Sequence, residues 1–142
     1  MSNTQPRSVL VLDDDEVTVR LASQVIRKLG HEVHDFTEEN PARMFLRENR
    51  VDIVVSDLQL SEGDSIGLLE WIRSSEPFSR LVIMTGSSQI TKLLQCWRLG
   101  VDSCVLKGKS FKQELERAVN SAADTVQRWK SAIDCVRTEL NT

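Results

Sequence analysis

Two kinds of apolar pattern alternate along the chain. Short continuous blocks come first: SVLVL at 8–12, VDIVV leading into Ser56 and Asp57 at 51–57, RLVIMT at 80–85 and DSCVL at 102–106. Blocks this short and rich in Val, Ile and Leu predict strands buried on both faces of a parallel sheet. HEVHDF at 31–36 alternates apolar and polar instead, which predicts a strand nearer the sheet edge. Between the blocks the period changes to that of a helix. Val17, Leu21, Val25 and Leu29 recur on one face before Gly30, which supplies a helix stop. Asn40 and Pro41 read as N-cap and first turn of a helix burying Ala42, Phe45 and Leu46. Ile66, Leu68, Leu69, Trp71 and Ile72 form a third stripe closed by Pro77, and Ile90, Leu93, Leu94 and Trp97 a fourth that ends near Gly100. A last helix is predicted from about Ser110. Five strand–helix alternations require an α/β doubly wound fold, a parallel sheet with helices on both faces.

The tail departs from this rhythm. Leu115, Val119, Ala122, Val126, Trp129, Ile133, Val136 and Leu140 follow one another in steps of three and four, which is a heptad seam. Its first part is expected to pack on the sheet, and beyond about Asp124 it is expected to outrun the domain. The division predicted is a loose arm at 1–7, a domain at 8–123 and a helical extension at 124–142. The extension reads as a parallel coiled coil, with β-branched Val126 and Ile133 favouring a homodimer, or as a linker to an output domain beyond residue 142.

Composition narrows the function classes. A chain of 142 residues with net charge −3 gives no bulk electrostatic reason for nucleic-acid binding. Cys96, Cys104 and Cys135 have no paired spacing and read as reduced thiols. The first residues lack an apolar signal core, and no run approaches the ~20 residues of a membrane span. A cytoplasmic protein without membrane contact is the expectation.

The candidate chemistry lies where the strands end. Asp13 and Asp14 follow the first block, Asp57 the third, Thr85 the fourth and Lys107 the last. In a parallel sheet these ends share one rim, where ligands bind. Clustered carboxylates raise one another's pKa unless a cation neutralises them, and Mg²⁺, a hard ion taking oxygen ligands, suits the set. Lys107 balances remaining charge. Asp57 is then a nucleophilic carboxylate for phosphoryl transfer, a reaction that needs chiefly positioning and charge stabilisation. Asp15 and Glu16 read as first-turn helix residues.

On the motifs VLVLDDDE, VDIVVSD, LVIMTG and LGVDSCVLK, the chain resembles the receiver domain of two-component response regulators over roughly residues 7–123. The resemblance implies a flavodoxin-like sheet of strand order 2-1-3-4-5. It implies that a phosphohistidine on a sensor histidine kinase, or a histidine phosphotransfer protein, donates its phosphoryl group to Asp57. It also implies Mg²⁺ held by Asp13, Asp14, Asp57 and the backbone carbonyl of Gln59, pairing of Lys107 with the phosphoryl group, and a movement of Thr85 toward it. Such a domain is not a conventional enzyme, although it assists its own phosphorylation and dephosphorylation.

Departures from the family pattern are equally specific. Gly108 stands where a cis proline usually follows the lysine, Ser61 replaces a proline and Ser65 a glycine. A cis bond before a non-proline residue costs about 2.5–4 kcal/mol, which weighs against a cis Lys107–Gly108 bond while the sequence leaves its isomer open. Cys104 occupies the switch position usually held by Phe or Tyr, so the aromatic relay is absent. Two alternatives follow: an unphosphorylated pseudo-receiver acting as a binding or dimerisation module, and a haloacid-dehalogenase-like phosphatase with Asp13 as nucleophile and Asp15 as general acid.

Overall fold

The structure is a computed structural model and describes residues 5–61, 63–86 and 90–141. The elements in chain order are β1 (Ser8–Leu12), α1 (Glu16–Lys28), β2 (Glu32–Phe36), α2 (Glu39–Glu48), β3 (Ile53–Asp57), β4 (Gln59–Leu60), β5 (Gly63–Asp64), α3 (Ile66–Ser75), β6 (Arg80–Thr85), α4 (Ile90–Arg98), β7 (Ser103–Leu106) and α5 (Phe111–Leu140). Five strands form one parallel sheet in the order β2-β1-β3-β6-β7. With the two-residue strands β4 and β5 set aside, this is the expected order 2-1-3-4-5.

The apolar blocks are central strands because both of their faces are covered. Val9 and Val11 of β1 join Ile53, Val55, Val82 and Met84 in a core layer closed by α1 and α5. Leu10 and Leu12, one residue out of phase, join Val54, Leu81 and Ile83 in a second layer with Leu46, Leu68, Leu69 and Ile72. Successive side chains of one strand point to opposite faces, so only an unbroken apolar run can serve both layers. The alternating segment is β2, an edge strand bonded to β1 alone with no fully buried residue.

Several local expectations change. The helix expected to be capped by Asn40 begins earlier, with Glu38 in the cap position and Glu39 as its first residue. Asn40 and Pro41 lie within the first turn, where a missing proline N–H loses no helical bond. The segment after Asp57 contains the antiparallel pair β4–β5, with Gly63 at φ +135°. Arg7 has a buried side chain. Its N–H donates to Nδ1 of His31 at 3.0 Å, and its guanidinium bonds the Gln127 side chain on α5.

α5 has 30 residues, a rod of roughly 45 Å. Leu115, Val119, Ala122 and Ala123 are buried against the sheet, and burial continues to Val126, about half a turn past Asp124. Lys130 reaches back to Asp52 at 3.5 Å. Asp52 also accepts from the N–H of Ser8 at 3.1 Å, which ties the helix to the opening of the sheet. Beyond this point the seam emerges: Trp129 is 57% exposed and Leu140 79%. Among the described residues no helix is long and apolar enough to cross a membrane.

Candidate functional site

β1, β3, β6 and β7 run parallel, so the residues following their carboxyl ends meet on one rim. Asp13 follows β1 directly and is fully buried; Asp57 is the last residue of β3 and is 5% exposed. Lys107 follows β7, and its ammonium lies 2.7 Å from Oδ2 of Asp13 and 3.1 Å from Oδ2 of Asp57. The other oxygens are held by backbone. The N–H of Asp15 donates to Oδ1 of Asp13 at 2.9 Å, and the N–H of Gln59 to Oδ1 of Asp57 at 3.2 Å. Asp14 is exposed, and carboxylate oxygens of Asp13, Asp14 and Asp57 lie within 4.8 Å of one another.

Local structure fixes each member. Asp15 is the N-cap of α1, its Oδ1 accepting from the N–H of Val17 at 3.1 Å, with Glu16 in the first turn. That cap turns the chain sharply after β1 and aims Asp13 inward. Thr85 ends β6 and is buried, and its carbonyl accepts from the N–H of Lys107 at 2.9 Å. The β6–β7 pairing therefore sets Thr85 and Lys107 beside each other. Gln59 begins β4, two residues beyond Asp57. Cys104 lies on the edge strand β7 opposite Ile83 and is exposed. Its thiol pKa is raised, first by burial and then by Glu114.

The departures from the family pattern fit this backbone. The Lys107–Gly108 bond is trans, as expected for a non-proline residue. Ser65 takes φ −89° at the start of α3, a conformation with no need for glycine. Ser61 is an exposed turn residue.

Electrostatics follow from burial. Burial is the main force raising the pKa of Asp13 and of Asp57, against the lowering effect of Lys107. Burial also works to lower Lys107, but the hydrogen bonds and charges of Asp13 and Asp57 outweigh it and the ammonium is raised. Three carboxylates thus face one fixed cation. A set of oxygen donors with excess negative charge at the end of a sheet fits a hard divalent ion. The mouth opens on a cavity of about 350 Å³ lined by Asp14, Glu38, Glu39 and Asp64 among others, which further favours a cation.

A family model, that of the response regulator receiver domain, matches residues 9–134. The chain belongs to this family. The receiver domain is 27% identical over 134 residues to the transcriptional regulatory protein GlrR of Escherichia coli (strain K12), covering 91% of this chain and 30% of that protein. It therefore spans about a third of the length of this relative. Among solved structures it resembles the chemotaxis response regulator CheY4 of Vibrio cholerae, with TM-score 0.74 and 18% identity over 83% of this chain and 99% of that one. It also resembles NtrX of Brucella abortus, with TM-score 0.83 and 20% identity over 92% of this chain and 30% of that one. The chain is thus a receiver module of the kind found in two-component signalling. The phosphatase alternative fails on the same grounds, because the family matched over residues 9–134 is that of receiver domains.

The sequence reading missed three groups at this rim. The backbone N–H groups of Asp15 and Gln59 carry no side-chain signal. Lys92 of α4, which bonds Gln59 and Asp64, belongs to no motif.

Proposed function

We propose that Asp57 accepts a phosphoryl group from a phosphohistidine of a sensor histidine kinase or histidine phosphotransfer protein. The observation that carries this reading is the buried pairing of Asp57 and Asp13 with one ammonium, 3.1 Å and 2.7 Å away. A carboxylate oxygen of Asp57 attacks phosphorus, the P–N bond to histidine breaks, and the histidine nitrogen keeps the electron pair and takes a proton from solvent. Lys107 neutralises charge on the phosphoryl oxygens once Asp57 is esterified, because its ammonium is already beside the acceptor. Thr85 donates its hydroxyl to the phosphoryl group after a local shift. Asp13, Asp14, Asp57 and the Gln59 carbonyl would hold Mg²⁺, which would supply charge neutralisation during the transfer. The same arrangement serves hydrolysis of the acyl phosphate, so the domain assists both its phosphorylation and its dephosphorylation.

Output passes through α5 in this reading. Residues 8–123 form the receiver and 124–142 an extension whose seam of Trp129, Ile133, Val136 and Leu140 pairs with a second copy or leads into an output domain. The exposure of those four side chains supports it. Such a module acts in the cytoplasm, where kinase and phosphodonor are found.

Incubation with acetyl phosphate and Mg²⁺, followed by intact-mass measurement, tests the reading. The expected result is one added phosphoryl group that is lost in Asp57→Asn and suppressed by a chelator. A labelled Asp57→Asn variant, or an unlabelled wild type, sinks it. Sedimentation of wild type and Trp129→Asp with and without beryllofluoride tests pairing through the helix; a monomer under every condition removes that part alone.

A further inference from the structure

Lys92 sits in the first turn of α4, a turn without an acidic residue. A cation there faces the positive end of the helix dipole and needs outside acceptors. It finds them on the β4–β5 hairpin, its ammonium lying 2.8 Å from Oε1 of Gln59 and 3.6 Å from Oδ2 of Asp64. These acceptors are direct cross-strand neighbours. Gln59 is also the residue whose N–H donates to Oδ1 of Asp57. One residue therefore touches the acceptor carboxylate through its backbone and α4 through its side chain.

α4 has little else to hold it. Cys96 is its one fully buried residue, whereas Ile90, Leu94 and Trp97 are exposed, Trp97 by 79%. The neighbouring strand β7 offers Cys104 in place of an aromatic ring. We propose that Lys92, acting through Gln59, is the positioning residue that couples the state of Asp57 to α4. This rests on the reading of Asp57 as phosphoacceptor. Esterification turns the Asp57 carboxylate into an acyl phosphate whose oxygens accept hydrogen bonds more weakly, since the negative charge has left them. The Gln59 N–H then loses its partner, the hairpin end shifts, and the Gln59 amide withdraws from Lys92. The first turn of α4 is loosened because Lys92 has lost its nearer acceptor and keeps only the longer pairing with Asp64. The bond to Lys92 thus holds α4 in its unphosphorylated placement, and by linkage it opposes modification.

The test follows the indole N–H signals of Trp71, Trp97 and Trp129 by two-dimensional NMR in the whole chain with Mg²⁺, titrated with beryllofluoride. Wild type, Lys92→Met, Gln59→Ala and the double variant are compared. In wild type the Trp97 signal is expected to move on binding. In Lys92→Met it is expected to lie toward the bound position before any addition, with beryllofluoride affinity about three- to tenfold higher, the scale of one net hydrogen bond at an exposed site. The double variant should add little, because the two changes break one bond. An unshifted Trp71 signal reports an intact fold, and Gln59→Ala breaks the bond from its other end should Lys92→Met fold poorly. If wild type binds beryllofluoride while both single variants match it in Trp97 position and affinity, the coupling is refuted and the phosphoacceptor reading stands. If wild type binds none, both fall.

Discussion

Asp14→Asn isolates the electrostatic cost of the acidic rim. Asp14 makes no ion pair with Lys107, whose ammonium engages Asp13 and Asp57, so the substitution removes two close repulsions against one more distant attraction. At separations up to 4.8 Å, two carboxylates repel by about 3.5 kcal/mol at an effective dielectric of about 20 and about 0.9 kcal/mol in water. Asp14 is exposed, so the lower figure governs each of its two interactions. The metal-free variant should be more stable than wild type by about 1–2 kcal/mol, which for a domain of this size raises Tm by roughly 3–6 °C. Magnesium should reverse the order, because wild type gains stability by binding the ion and the variant has lost a ligand. Thermal unfolding with EDTA and with a MgCl₂ series measures both effects. A variant less stable than wild type in EDTA, or one stabilised by Mg²⁺ as strongly as wild type, would refute the view of Asp14 as a metal ligand held at a cost.

Three other expectations follow from the same structure. Lys107→Met leaves fully buried Asp13 without its cation, so it should destabilise the metal-free domain by about 2–4 kcal/mol and increase the stabilisation by Mg²⁺; urea unfolding with and without the ion reads both. The pKa of His31 is held below its ordinary value, first by burial and then by the charge of Arg7, while its Nδ1 accepts the Arg7 N–H. Because the folded value is depressed, the stability it contributes is complete above about pH 6.5 and is lost as pH falls from there through the folded value; urea titrations of His31→Gln should show a shallower loss across that window. Finally, Leu115→Ala at a fully buried site on α5 should cost about 2–5 kcal/mol, whereas Leu140→Ala at the exposed end should change stability by less than about 0.5 kcal/mol. Equal effects in chemical unfolding would contradict the placement of α5.

The sequence by itself determined the alternation of strands and helices, the parallel sheet and the placing of Asp13, Asp57, Thr85 and Lys107 at strand ends. The reason is that a strand covered on both faces must be continuously apolar, and the change to polar residues after each run falls at or within two residues of its carboxyl end. Once the strands are parallel, those ends meet without any knowledge of packing. Edges were less legible. Glu38 rather than Asn40 precedes α2, because a helix start depends on backbone angles that several neighbouring residues can adopt. The β4–β5 pair was hidden because two-residue strands have no period. Tertiary structure alone decided the partners: that Lys107 serves both buried carboxylates, that Arg7 pins α5 through Gln127, and that Lys92 reaches the hairpin. These contacts join residues up to 120 positions apart. A long polar side chain carries no periodic signature of the surface it meets, so only the packed chain can name its partner.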